Sequence, residues 1–325
     1  MSVRSQLPAE RGRQLPAMAR PIRYVPPGAL VEVTTRTIHG RFLLRPSPQV
    51  NDLILGILGR GQALFSVRIH AFVVLSNHWH GLLSVDDAAQ LAAFLAFVNG
   101  NIAREIGRLH EWRHRFWARR YRAIVVADET AAFARLRYIL QNGCQEGLVD
   151  RPVDWPGLSC VRALTAGDDL RGTWHDRTAE YNARRRGERV APGQFATEYQ
   201  VHLSPLPGWR DLSPARHRAA CAEIVASIQA DTRASRADSG RGCVGRERIL
   251  AQHPHDRPVA SDTSPAPFVH ASCRRVRIAF RRAYAAFVDA FRAAAECLRR
   301  GQMADFPLGA FPPRAPFITA NPAPA

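Results

Sequence analysis

The chain has 325 residues, 46% of them apolar, and a formal net charge of +17. This length suits one large or two moderate domains, and the apolar share excludes a chain too polar to build a core. No apolar run approaches the eighteen or so residues of a membrane span, and the basic excess points to a polyanion such as nucleic acid, with binding that weakens steeply in salt.

Arginine carries the whole excess, because the sequence contains no lysine; this reads as codon bias. Cysteines stand at 144, 160, 221, 243, 273 and 297, without any Cys-x-x-Cys. Neither structural zinc nor a disulfide framework is expected from such spacing, only reduced thiols.

Residues 1–27 are rich in Pro, Arg and Gln and end in Pro26-Pro27. They predict a flexible basic arm. Arg4, Arg11, Arg13 and Arg20 lie there without the apolar segment of a secretory signal, so a cytoplasmic location is expected. Val31–Ile38 is mostly β-branched and predicts a strand. Ser47–Leu58 predicts a helix: Ser47 caps, Pro48 comes first, and Val50, Leu53, Ile54, Ile57 and Leu58 form the apolar stripe.

In residues 71–85 two short apolar runs flank Ser76-Asn77, which predicts neighbouring antiparallel strands across a turn. His78 and His80 then leave by one face of the second strand and Trp79 by the other. Two imidazoles on one rigid face are two thirds of a metal site; a chance pair on a solvated strand is the alternative. Histidines among such apolar strands cost desolvation energy unless they find partners.

Asp86–Leu109 predicts a second helix, capped by Asp86 or Asp87, with Leu91, Phe94, Val98 and Ile102 at helical spacing. In the strand expected next, Arg119, Arg120 and Arg122 bracket Tyr121, with Arg120 and Arg122 on one face as phosphate contacts or as a solvated edge. Residues 128–149 predict a helix opened by Asp128, Glu129 and Thr130, with Gly143 and Gly147 at its end. Phe133, Leu136, Ile139 and Leu140 form its packing stripe. Tyr138 and Asn142, four apart, share another face. A phenol and an amide oxygen so placed suit a nucleophile and a third metal ligand, or an ordinary helix surface.

After Pro156-Gly157 the composition changes. Residues 166–198 are dense in charge, and helices are expected at Ser213–Asp231, Val244–Gln252 and Ser272–Arg300, with a Pro/Ser/Asp-rich linker near 253–269. The last helix has an apolar face of Val276, Phe280, Ala283, Phe287, Phe291 and Leu298. Its arginines at 274, 275, 277, 281 and 282 read as a solvated face, with contact along DNA the alternative. The element order predicts an α+β fold, an antiparallel sheet with packed helices, compatible with a ferredoxin-like topology and followed by a mainly α-helical C-terminal extension. The expected division is an arm at 1–27, a catalytic domain at 28–165 and the extension at 166–325.

His78-Trp79-His80 after an apolar strand, followed by a helix bearing Tyr138-x-x-x-Asn142, resembles the single-tyrosine HUH transposases: the IS200-like enzymes and, more closely, the REP-associated tyrosine transposases. Thr34-Thr35-Arg36-Thr37 with Gly40–Leu44, Trp117–Arg122, and Asn142 with Gly147-Leu148-Val149 extend the resemblance over about residues 28–165. One departure is clear: the family's Asn-Pro is Asn142-Gly143 here. The resemblance implies a ferredoxin-like sheet and single-stranded DNA as substrate, often a hairpin from a repeat. It implies Tyr138 as nucleophile, with His78, His80 and Asn142 holding Mg²⁺ or Mn²⁺. Arg36, Arg119, Arg120 and Arg122 are the candidate DNA contacts, and Tyr121 is the rival nucleophile. A monomer or homodimer is expected. The alternative function is a domesticated, non-catalytic DNA-binding protein of the same fold.

Overall fold

Residues 21–258 and 266–311 are described by the computed structural model. Most of the expected arm, part of the linker and the end of the chain lie outside the described residues. The central sheet holds β1 (Leu30–Arg36), β2 (Arg68–Leu75), β3 (His78–Ser84) and β4 (Arg122–Val126) in the order β2-β3-β1-β4. Every neighbouring pair is antiparallel. With α1 (Pro48–Phe65) between β1 and β2 and α2 (Ala88–Leu109) between β3 and β4, this is the ferredoxin-like α+β arrangement. Both faces of β2 and β3 are covered, which accounts for their nearly unbroken apolar composition.

α3 (Glu129–Gln145) packs against β2 and β3. Downstream come α4 (Val161–Ala166), a hairpin of β5 (Arg171–His175) and β6 (Ala196–Gln200) enclosing α5 (Arg177–Arg185), and then α6 (Pro214–Ser239), α7 (Arg246–Leu250) and α8 (Arg274–Arg299). α6 lies on α3 and α4, so one apolar cluster runs from the sheet into Cys221, Ile224, Val225 and Ile228. Among the described residues no helix is long and apolar enough to cross a membrane. The six cysteines are free, and burial pushes the Cys160 thiol up to about 12.

The helix starts follow the expected caps. Ser47, Asp87, Asp128 and Ser213 accept from the backbone N–H groups of Val50, Gln90, Ala131 and Arg216 respectively. The ends depart from expectation. α1 continues past Leu58 to Phe65, although Gly56, Gly59 and Gly61 look like helix breakers. They mark close approach instead. The β5–β6 hairpin lies across α1, and a methyl on Gly56 would overlap the Thr173 carbonyl. That hairpin is absent from the sequence expectation because much of its surface reaches solvent, so its composition is polar.

In α3, Gly143 does not end the helix. It sits inside, where a Cβ would stand 3.2 Å from Val149 Cγ2. The turn falls instead at Gly147, with φ +70°. Phe133 leaves the expected core stripe: it is 42% exposed, with its ring 6.2 Å from that of Trp209. On α8 the expected Ala283 is exposed, and Tyr284 joins the packed face in its place. The Tyr284 hydroxyl donates to the Ile22 carbonyl at 3.0 Å, and Tyr24 stacks 4.4 Å from Phe287. Residues just before β1 are thereby seated on the last helix.

Candidate active site

The site begins at the tight turn Ser76-Asn77. Leu75 pairs with His78 immediately after it, which places the two histidines in the first three positions of β3. Strand alternation sends Trp79 toward α2, where its Nε1 donates to Asn99 Oδ1 at 3.0 Å. His78 and His80 leave by the opposite face, with ring centroids 5.0 Å apart.

The far nitrogen of each ring is anchored. His80 Nδ1 lies 3.0 Å from Thr34 Oγ1 and 3.2 Å from Glu32 Oε1, two alternate residues of the neighbouring strand β1. His78 Nδ1 lies 2.6 Å from Asn77 Oδ1. A carboxylate or amide oxygen only accepts, so each Nδ1 carries a proton, which leaves Nε2 as the nitrogen that could bind a metal. Part of His78 reaches solvent, yet protein crowds its ring. This desolvation, with the charges of His80 and Arg36, holds its imidazole well below the usual range. His78 is therefore neutral at physiological pH, the form a metal requires.

Glu32 is buried beneath the pair. Its Oε2 lies 2.7 Å from His270 Nε2 and 3.5 Å from Arg135 Nη1. Burial acts to raise its pKa, but the contacts from His270 and His80 prevail and hold the carboxyl far below the usual carboxylate range.

α3 supplies the opposing wall. The Tyr138 ring meets the His80 ring nearly edge-on, with centroids 5.4 Å apart. The Arg135 guanidinium sits 4.6 Å above the Tyr138 ring centroid. Burial raises the phenol above its usual range; the Asn142 amide and Arg135 oppose this, while Glu32 and Glu146 add to it. One turn along, Asn142 is 1% exposed and its Oδ1 has no hydrogen-bond partner. A buried carbonyl oxygen left unpaired costs free energy unless something electropositive meets it. Among the described residues no group of three or more His, Cys, Asp or Glu is arranged to hold a metal. The side chains here that could hold a metal are the two imidazoles, with the unpaired amide oxygen of Asn142 as a further oxygen donor. Such a donor set, two imidazole nitrogens and one orphaned oxygen, fits a divalent ion of the Mn²⁺ or Mg²⁺ kind.

Of the expected DNA contacts, Arg36 stands opposite His78 in the β1–β3 ladder. Arg119, Arg120 and Arg122 are all exposed, but the strand expected to carry them starts only at Arg122. Trp117 makes a single bridge to Thr37 and the chain then bends through residues 118–120, so Arg120 and Arg122 share no strand face. Tyr121, the rival nucleophile, is covered by Arg23, whose guanidinium lies 4.2 Å from its ring centroid. Glu32, Arg135 and His270 were not foreseen. An acid inside the β-branched run Val31–Ile38 is a readable signal for the first; His270, at the edge of a Pro-rich stretch, has none.

The fold and these side chains define a class: a ferredoxin-like α+β protein with a histidine pair on an inner strand and a tyrosine on the helix across from it. Among solved structures, the chain is similar to a REP-associated tyrosine transposase bound to a REP hairpin. The two are 19% identical, with a TM-score of 0.39 over 46% of this chain and 86% of the other. It is also similar to a candidate transposase from Deinococcus radiodurans, 19% identical, with a TM-score of 0.27 over 36% of this chain and 93% of that one. No protein-family model matches the chain, and no curated protein is significantly similar in sequence.

Proposed function

We propose that the protein is a DNA transposase of the single-tyrosine type, a single-strand endonuclease that cleaves and rejoins DNA through Tyr138. The observation that carries this reading is the placement of the Tyr138 ring 5.4 Å from the His80 ring, with the unpaired Oδ1 of buried Asn142 one turn further along the same helix. His78, His80 and Asn142 are the proposed ligands of Mg²⁺ or Mn²⁺. When bound there, the ion supplies positive charge that neutralises a non-bridging phosphate oxygen.

The rest of the chemistry belongs to the chain. The Tyr138 oxygen attacks phosphorus in line, a P–O bond to tyrosine forms, and the bond to the 3′ oxygen breaks. The phenol gives up its proton and the departing 3′ oxygen gains one. The product is a 5′-phosphotyrosine that keeps the ester linkage, so a second 3′ hydroxyl can displace Tyr138 and reseal the strand without any high-energy cofactor. Arg135 above the ring favours the developing phenolate. Arg36 beside His78 and the exposed Arg119, Arg120 and Arg122 are the proposed phosphate contacts on single-stranded DNA flanking a hairpin.

Incubation of the protein with a labelled hairpin oligonucleotide and Mn²⁺ tests the reading. Wild-type protein is expected to form a covalent adduct, and Tyr138→Phe to form none while still binding the DNA. An adduct that persists in Tyr138→Phe overturns the assignment. Binding without an adduct in either protein identifies a DNA-binding protein without turnover.

A further inference from the structure

We propose that Glu32 is the positioning residue of the histidine pair, and that His270, delivered by the segment ahead of α8, completes that support, so that the C-terminal extension is part of the site. The proposal rests on the reading of His78 and His80 as metal ligands and deepens it.

The two oxygens of Glu32 divide the work. Oε1 faces His80 Nδ1 at 3.2 Å, and Oε2 faces His270 Nε2 at 2.7 Å. The first contact fixes the ring's tautomer and rotation. The second holds the carboxylate from behind. His270 Nε2 makes no well-directed hydrogen bond despite its closeness, so the contact itself does not fix where the ring sits. The backbone does place it. His270 N–H donates to the Val125 carbonyl, and the Ala127 N–H donates to the His270 carbonyl, each at 2.9 Å, which adds the segment alongside β4. Two residues on, the Ser272 N–H donates to Asp128 Oδ2 at 2.8 Å, the same carboxylate that caps α3. The segment is thus pinned both to the sheet that carries the imidazoles and to the helix that carries Tyr138.

A packing role alone explains this poorly. A buried charged cluster is often no more stable than apolar side chains of similar volume. A carboxylate on the far nitrogen of a metal-binding imidazole, by contrast, is a recurrent means of orienting the ring and raising its basicity.

Mn²⁺ affinity, read by electron paramagnetic resonance of free and bound ion, and the tautomer of His80, read by ¹⁵N magnetic resonance of the metal-free protein, test the proposal. The near-isosteric Glu32→Gln is expected to weaken Mn²⁺ binding by roughly tenfold or more and to mix the His80 tautomers. His270→Gln is expected to do the same to a smaller extent. The double variant should bind no more weakly than Glu32→Gln, because His270 acts through Glu32; a merely structural His270 would add its own loss. If Glu32→Gln fails to fold, His270→Gln decides by itself, its ring lying at the edge of the core. An unchanged tautomer and affinity in the variants, or losses that multiply, overturn the proposal. A wild-type chain that holds no Mn²⁺, yet loses its single His80 tautomer in these variants, sinks the metal reading and leaves the positioning role standing.

Discussion

His78 sits at the first position of β3, partly open to solvent, whereas His80 two residues on is buried. The two rings therefore differ in what they do for the fold. Removing the His78 ring deletes a proposed ligand at the rim without opening a core cavity. His78→Ala is expected to lower cleavage of a hairpin substrate by roughly a hundredfold or more, with DNA binding largely kept. Single-turnover cleavage alongside a gel-shift titration separates the two effects, and full cleavage activity in the variant contradicts the ligand assignment. The spacing of His78, His80, Tyr138 and Asn142 was legible because each pair lies within one element, where strand and helix periods decide which side chains share a face. Their meeting across the sheet–helix junction was legible only through the resemblance.

Elements show where local signals mislead. Glycine in a helix interior costs about 1 kcal/mol relative to alanine, so Gly56→Ala would stabilise α1 if the helix stood alone. Its new methyl would overlap the Thr173 carbonyl, backbone that cannot swing aside. Gly56→Ala is expected to destabilise the protein by roughly 2 kcal/mol, since overpacking outweighs propensity. In α2 the nearest atom to a methyl on Gly100 is Arg104 Nη1 at 3.9 Å, the tip of a flexible side chain. Gly100→Ala should therefore gain about 0.5–1 kcal/mol. Denaturant melts of the two variants check both signs together.

The end of α2 carries a pH dependence. Burial, helped by the charges of Arg45 and His255, lowers His110 to about 4. Its unfolded value is near 6.5, so the unfolded chain binds the extra proton first. Stability from keeping this ring neutral is complete above about pH 6.5 and is lost as pH falls toward 4. His110→Gln is expected to flatten the slope of unfolding free energy over that window. An unaltered slope shows that His110 does not contribute.

For the whole molecule, charge is the dominant property. On α8 the arginines at 274, 275, 277, 281 and 282 are all exposed, and none of them pairs with an acid among the described residues. At 100° per residue they spread over about 160° of the helix surface and border the face of Phe280, Tyr284, Phe287 and Phe291, with Arg277 at its edge. Since His270 ties this part of the chain to β4, the basic side belongs to the same body as the histidine pair. Replacing Arg277 and Arg281 by Gln is expected to reduce the slope of log affinity against log salt by about 1 for each phosphate that is no longer neutralised. Hairpin binding measured across a salt series reads it directly. An unchanged slope leaves these arginines as a solvated face.

What the sequence by itself determined is everything that depends on near neighbours: the turn at Ser76-Asn77, the alternation that put two imidazoles on one face, the four capped helix starts, and the pairing of Tyr138 with Asn142. These follow from fixed backbone periods and from hydrogen bonds spanning a few residues. Only the tertiary structure decided that the glycines of α1 are a seat for a second hairpin, that the chain bends away before Arg122, and that Glu32 is held between His80 and a histidine from far along the chain. Those outcomes depend on which surfaces meet. A carboxylate among apolar residues announces that it needs a partner, but not which distant residue the fold will bring to it.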